Sequence, residues 1–332
     1  MMQDDYTTPI ENDIDMIQWP VKSPFGYYGA KSRIAKHIID NIPPHNAWVE
    51  AFCGSAAVTL AKKPAPIEVI NDIDDQIINL FEQLRINSEE LCKQVKLTPY
   101  SRAEYQKARL KKTDITPLEK ARRFLVANMM TINATHAHAN KSGFSVSHSY
   151  SRQNREARVN RWYNLSDRLE KVVERLRSVR IENRDAKEIL RMFQYRPATL
   201  VYLDPPYFVK RDHKYTIDAN DRGFHEELLK ICIKSKCMIL ISAYKNELYD
   251  DMLTVKRGWS KLSINAFTKG SNGKTFNRTE VLWKNDRCEN ALKRNRVPIR
   301  LSAYEKEHKK VNPPRKFYQA KNPRFGKIKG SR

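Results

Sequence analysis

Four short apolar runs, separated by turns and helical stretches, constrain this chain more than any other feature. Trp48-Val49-Glu50-Ala51-Phe52 runs into Cys53-Gly54-Ser55, and Ala56 to Lys63 continues with helical spacing. Ile67-Glu68-Val69-Ile70 ends at Asn71-Asp72, with a helix predicted from Asp75 to Arg85. Leu200-Val201-Tyr202-Leu203 ends at Asp204, and Cys237-Met238-Ile239-Leu240-Ile241 follows a helix predicted over Gly223 to Lys234. Strand and helix therefore alternate. That grammar predicts an α/β fold with an open, largely parallel sheet covered by helices. With 332 residues, 40% of them hydrophobic, the chain can bury one large core, or a core and a smaller inserted lobe.

The remaining segments are set apart by charge. The formal net charge is +23. Residues 98–198 hold 22 Lys/Arg against 10 Asp/Glu, and residues 291–332 hold 14 against 2, so each segment contributes +12 and the rest is nearly neutral. Two segments carrying the whole excess point to a polyanionic partner, with nucleic acid favoured over a merely solvated surface. Residues 1–20 lack a hydrophobic period and are expected to form a flexible arm; residues 98–179 form a basic, mainly helical insertion; residues 286–332 are expected to be a basic, flexible tail. No apolar run approaches the roughly 20 residues of a membrane span, and the acidic N-terminus has no signal-peptide character, so a cytoplasmic location without membrane contact is expected. Five cysteines without CxxC pairing read as reduced packing residues. His136-Ala137-His138 lacks partners at ligand spacing, so no metal is expected.

The chemistry is concentrated where the third apolar run stops. Asp204-Pro205-Pro206-Tyr207 is stiff because proline fixes φ and holds the preceding residue extended. Such a loop can hold a planar amine: Asp204 accepts one amine hydrogen, the Pro205 carbonyl the other, and Tyr207 stacks on the ring. Two acceptors draw the nitrogen lone pair out of conjugation, so that it can attack an electrophilic carbon in line. By itself the tetrapeptide also fits an ordinary strand-ending turn. Gly54 stands at a strand-to-helix turn where a ligand can approach the backbone, and Asp72 ends the next strand, where a carboxylate grips ribose hydroxyls in nucleotide-binding sheets or caps the following helix.

In this order, the motifs resemble the bacterial and phage Dam-like DNA adenine-N6 methyltransferases, alpha-group amino-methyltransferases, over most of residues 24–285. Pro24 to Lys31 resembles the N-terminal motif, Glu50 to Ala56 the methionine-side loop, Asn71 to Asp74 the ribose motif, and Ile181 to Asp185 the segment that meets the cofactor adenine. Ser242-Ala243-Tyr244 and Glu280 to Asn285 resemble strands bordering the target-base pocket. The resemblance implies a Rossmann-like S-adenosylmethionine-dependent methyltransferase sheet, formed by residues 21–97 and 180–285, with the insertion as target-recognition lobe. It implies S-adenosylmethionine as cofactor, bound by Tyr27, Lys31, Glu50, Phe52, Gly54, Asp72 and Asp185, and Asp204, Pro205, Pro206 and Tyr207 as the catalytic loop. Relatives carry proline where Ala51 stands and glycine where Ala56 stands.

DNA is the implied partner, with the target adenine flipped out of the stack. Lys141, Arg152, Arg155, Arg158 and Arg161 are the candidate DNA contacts, and their density around residues 141–148 predicts backbone contacts and relaxed sequence specificity. The location implied is a bacterial or phage-infected cell; oligomeric state and any restriction partner stay open, a monomer being one option. Two rival readings remain: methylation of the cytosine N4 amine, which relatives more often begin with serine at the position of Asp204, and a DNA-binding protein on the same fold that has lost catalysis.

Overall fold

The computed structural model describes residues 6–9, 19–26, 31–110, 114–132, 143–147, 154–206, 221–269 and 275–299. Its strands are β1 (Tyr6–Thr7), β2 (Ala47–Glu50), β3 (Ile67–Asn71), β4 (Val179–Glu182), β5 (Thr199–Leu203), β6 (Met238–Tyr244), β7 (Trp259–Lys269), β8 (Thr275–Asn285) and β9 (Val297–Pro298). Seven of them form one sheet in the order β4-β3-β2-β5-β6-β8-β7. The first five in that row are parallel, and β8 returns antiparallel between β6 and β7. The four runs that read as buried strands in the sequence are the four central parallel strands.

Their burial follows from helices on both faces. On one face Val49, Val201, Ile239, Ile241 and Trp283 pack against the helices Ala186–Phe193, Arg222–Lys234 and Glu247–Met252. On the other, Trp48, Tyr202, Leu240 and Leu282 meet Ile38, Val58 and the helix Asp286–Arg294. Burying a branched aliphatic side chain stabilises by about 1.5–3 kcal/mol, so strands covered twice can dispense with polar alternation.

A third apolar cluster explains how the basic insertion is attached. Ile77, Leu80, Phe81 and Leu84 of the helix Asp75–Ile86 share a core with Leu125 and Val126 of Pro117–Met129 and with Leu165, Leu169 and Val172 of Leu165–Leu176. The helices of residues 98–179 therefore continue the core that begins on the sheet. Their starts are written in the sequence: Ser101 and Thr116 accept backbone N–H bonds from Glu104 and Glu119, and Pro117 takes the first helical turn.

The start of the C-terminal segment departs from the tail expected from composition. Residues 286–294 are helical, capped by Asn285, whose side chain accepts from Cys288 N at 3.0 Å; Cys288 and Ala291 are buried. Just beyond, β9 pairs antiparallel with β1, so the segment expected to be an arm contributes a strand at Tyr6–Thr7. The overall charge of this stretch masked an apolar face only two or three residues wide. All five cysteines are free and buried, as their context implied. No helix among the described residues is long and apolar enough to cross a membrane.

Candidate active site

Four polar strand ends line the carboxyl edge of the parallel sheet, where open α/β sheets take ligands. The edge is built from Cys53-Gly54-Ser55 after β2, Asp72 after β3, Asp185 after β4 and Asp204 after β5. Asn71 binds three of them together. Its side-chain nitrogen donates to the carbonyls of Ala51, at 2.9 Å, and Arg184, at 3.0 Å, while its oxygen accepts from Arg184 N at 2.9 Å.

The glycine turn has the shape its sequence requires. Gly54 sits at φ 49° and Ala56 at φ 52°, so two residues of the loop are left-handed. Glycine enters this region freely; alanine pays about 1–2 kcal/mol, which explains why relatives favour glycine at the second position. Gly54 N donates to Asp72 Oδ2 at 2.8 Å and Asp74 N donates to Asp72 Oδ1 at 3.0 Å. Asp72 is thus held by two backbone amides, while Asp74 caps the helix by accepting from Gln76 N. Burial raises the Asp72 carboxyl to about 6 against the pull of those amides. Each oxygen keeps a lone pair for a hydroxyl donor.

Asp204 occupies a denser charge cluster. Lys31, buried in a short 3-10 turn, donates from Nζ to Asp204 Oδ1 at 2.5 Å and lies 3.5 Å from Glu280 Oε1. Ser242 Oγ donates to the same aspartate oxygen at 3.5 Å and shares a 2.7 Å hydrogen bond with the Tyr202 hydroxyl. Burial pushes the Asp204 carboxyl up to about 6; Lys31 pulls it down and Glu280 pushes it up. Lys31, expected from the resemblance at the cofactor pocket, is thus a partner of the catalytic candidate Asp204. Ser242 and Glu280 lie in motifs that the sequence placed beside the target base. Their pairing with Asp204 and Lys31 was not legible there, although a serine inside Met238-Ile239-Leu240-Ile241-Ser242 signals a polar contact on an otherwise apolar strand.

Other candidates take different positions. Glu50 is buried and its Oε2 accepts from the Thr59 backbone N at 3.0 Å and from the Thr59 hydroxyl, which in turn accepts from Trp48 Nε1 at 2.7 Å. Glu50 therefore holds the helix Ala57–Ala61 beneath the glycine turn, and burial raises its carboxyl to about 8. Phe52 packs edge-on against Phe224 with ring centroids 6.3 Å apart. Asp185 caps the helix Ala186–Phe193, its Oδ1 accepting from Lys187 N at 2.7 Å. Pro205 and Pro206 directly follow Asp204 at the strand end, whereas Tyr27, Tyr207, Lys141 and Arg152 lie outside the described residues.

Among the DNA-contact candidates, Arg155 covers the Tyr163 ring at 4.0 Å, and Arg158 and Arg161 lie on the helix Ala157–Tyr163. Beside them, Tyr100 donates to Ser145 O at 2.6 Å and Ser147 N donates to Glu156 Oε1 at 2.6 Å, pinning residues 145–147 against that helix. No group of three or more metal-ligating side chains occurs among the described residues.

A seven-stranded sheet in this order, with a glycine turn after β2 and carboxylates ending the strands on either side, is a Rossmann-like α/β fold with a ligand edge suited to a nucleoside-bearing cofactor. The family model of the D12 class N6 adenine-specific DNA methyltransferases matches residues 27–264, and the chain belongs to that family. S-adenosylmethionine is accordingly its methyl donor and DNA its substrate. The residues present fit that donor: Asp72 retains acceptor capacity for ribose hydroxyls beside a left-handed glycine turn. Among solved structures, a proposed methylase of Haemophilus influenzae, HI0767, is 10% identical, covers 79% of this chain and 91% of its own, and gives a TM-score of 0.34. A proposed methyltransferase of Escherichia coli, yhhF, is 11% identical over 80% of this chain and 91% of its own, with a TM-score of 0.34. Precorrin 8W decarboxylase of Methanobacterium thermoautotrophicum is 12% identical over 83% and 98%, with a TM-score of 0.33. No curated protein sequence matches the chain.

Proposed function

We propose that this protein transfers a methyl group to the exocyclic N6 amine of adenine in DNA, after the base has turned out of the duplex, and that Asp204 and the Pro205 carbonyl accept the two amine hydrogens. The observation that carries this reading is the Asp204 carboxyl: it ends β5 at the carboxyl edge of the sheet, partly buried, and is drawn toward its charged form by Lys31. An ionised acceptor of fixed orientation localises the nitrogen lone pair, and a site closed to water strengthens that effect.

When bound, S-adenosylmethionine supplies a methyl carbon activated by a sulfonium. The chain's own residues divide the remaining tasks. Asp72 binds the ribose and Gly54 lets the backbone approach. Asp185 and Phe52 flank the adenine moiety, and Glu50 holds the loop from below. Tyr207 stacks on the target base and Tyr27 borders the pocket, roles that the family resemblance supports. Asp204, or water, takes the proton that the amine loses after transfer. Residues 21–97 and 180–285 constitute the catalytic domain. Residues 98–179 are its DNA-recognition lobe, in which Arg155, Arg158 and Arg161, with Lys141 and Arg152, hold phosphates more than they read bases.

The decisive experiment incubates the protein with methyl-labelled cofactor and duplex DNA, digests to nucleosides and identifies the labelled base. Label in 6-methyladenine, lost in Asp204→Ala while DNA is still bound, is expected. Label in N4-methylcytosine would overturn the choice of base, and label persisting in the variant would overturn the role of Asp204. Sequencing of the methylated adenines tests relaxed specificity; a single strict motif would refute it.

A further inference from the structure

Two neighbouring helices of the basic insertion bring three arginines together without a carboxylate partner among the described residues. Arg158 and Arg161 stand three apart on Ala157–Tyr163, one helical turn, and Arg168 stands on Leu165–Leu176 with its Nη2 donating to Arg161 O at 3.5 Å. Arg161 and Arg168 are partly buried, and Arg168 Nε is fully buried without a hydrogen-bond acceptor among the described residues. The buried arginines elsewhere in the insertion are treated otherwise: Arg175 is paired with Glu68. Arg122 and Arg123 are paired with Glu119, and Arg122 also with Glu104, whereas none of the three forms an ion pair with a carboxylate among the described residues.

Burying cations next to one another without an anion costs free energy, because desolvation and mutual repulsion both oppose the charge. Both effects act here: burial and then Arg158 depress Arg161, and burial and then Arg161 depress Arg168 to about 10. Both remain cations at neutral pH. A structure that keeps such a cluster beside the segment 145–147, itself fixed by Tyr100 and Glu156, keeps it for an anion of the right shape.

We propose that Arg158, Arg161 and Arg168 form one anion site that takes a single phosphodiester group of the DNA backbone, with Arg168 supplying donors from within the helix pair. The guanidinium fork matches two phosphate oxygens, and a partly desolvated site strengthens each charge-assisted bond. The proposal rests on DNA as the substrate and adds a residue, Arg168, and a fixed phosphate register to it. A phosphate held at one point orients the duplex on the lobe and leaves base identity unread.

The test measures affinity for a fluorescent duplex as a function of salt for the wild type, Arg168→Gln, Arg161→Gln and the control Arg177→Gln, whose native side chain is exposed and paired with Glu174. Circular dichroism verifies folding, and Arg161→Gln decides the matter should Arg168→Gln fail to fold. Each site variant is expected to lower the slope of log affinity against log salt by roughly 1. Its loss of affinity between 50 and 200 mM salt then becomes about fourfold smaller than that of the wild type, by the same relation. The control keeps the wild-type slope. An unchanged slope in a folded site variant overturns the phosphate site even when the wild type methylates adenine. Lowered slopes in a protein that labels no adenine would sustain the site and overturn the proposed reaction.

Discussion

In the proposed reaction Asp204 accepts the amine hydrogen far better when ionised, so its environment dictates a pH dependence. Burial raises its carboxyl to about 6, and Lys31 restrains the rise. The methyl-transfer kcat/KM is expected to increase with pH and to level off above about 6, and in Lys31→Gln the midpoint moves upward because the restraining cation is gone. A pH–rate profile of both proteins checks this; an unshifted midpoint in Lys31→Gln would show that Lys31 does not act on Asp204. The residue scale also fixes a stability prediction at Ala56, which is buried at φ 52°. Ala56→Val puts a β-branched side chain into the left-handed region and overpacks the site, so a loss of about 2 kcal/mol or more is expected in denaturant unfolding. The acidic strand ends were legible from the sequence because polar residues interrupt apolar runs. Lys31 meeting Asp204 across 173 positions, with Glu280 added from β8, is decided by tertiary closure that no local pattern encodes.

Single elements are tied together beneath the site by buried charge. At the start of β3, Glu68 accepts from Lys62 Nζ at 2.6 Å and from Arg175 Nη1 and Nη2 at 2.5 and 3.0 Å, and Arg175 Nη2 also donates to Thr59 O at 2.8 Å. The carboxylate thus joins β3 and the helix of the glycine turn to Leu165–Leu176 of the insertion. Lys62 also lies over the Trp48 ring at 5.0 Å. Removing one partner strands two buried cations, so Glu68→Ala is expected to destabilise by about 3–5 kcal/mol, read by chemical denaturation. Glu50 predicts the opposite kind of effect. Its folded pKa of about 8 lies above the ordinary carboxylate value, so its contribution to stability is complete below that ordinary value and is lost as pH rises through about 8. Glu50→Gln removes the titration, and the fall in stability between pH 5 and 8 should flatten; an unaltered slope would mean that other groups govern it. These ties were not legible from the sequence. Glu68 interrupts an apolar run with no partner nearby in sequence to account for it, and only the helix Leu165–Leu176, 107 residues away at Arg175, supplies the buried cation that it meets.

At the scale of the whole molecule, the alternation of strands and helices was enough to read the parallel sheet, since each buried strand is continuous in sequence. The antiparallel β7–β8 pair and the closing β1–β9 ribbon were less visible, because their burial depends on partners far along the chain. The same distinction divides the basic C-terminal segment in two. Up to Val297 it belongs to the fold: Cys288, Ala291 and Val297 are buried, and Asn285 also ties Ile239 N and Cys237 O to the cap, at 3.0 and 2.9 Å. Beyond it, residues 300–332 hold 11 Lys/Arg against 2 Asp/Glu, a composition suited to a polyanion and poor in core-forming residues. Two truncations separate these contributions. A chain ending at residue 299 keeps the helix and ribbon and should lose mainly electrostatic affinity, with a shallower salt dependence of duplex binding. A chain ending at residue 285 also uncovers the helix-packed face of the sheet and loses several buried side chains, about 3 kcal/mol or more. Its melting temperature should fall several degrees below that of the longer truncation. Equal melting temperatures would place the helix 286–294 outside the cooperative core, and an unchanged salt slope in the longer truncation would remove the terminal basic residues from DNA binding, leaving the insertion as the source of the electrostatic attraction.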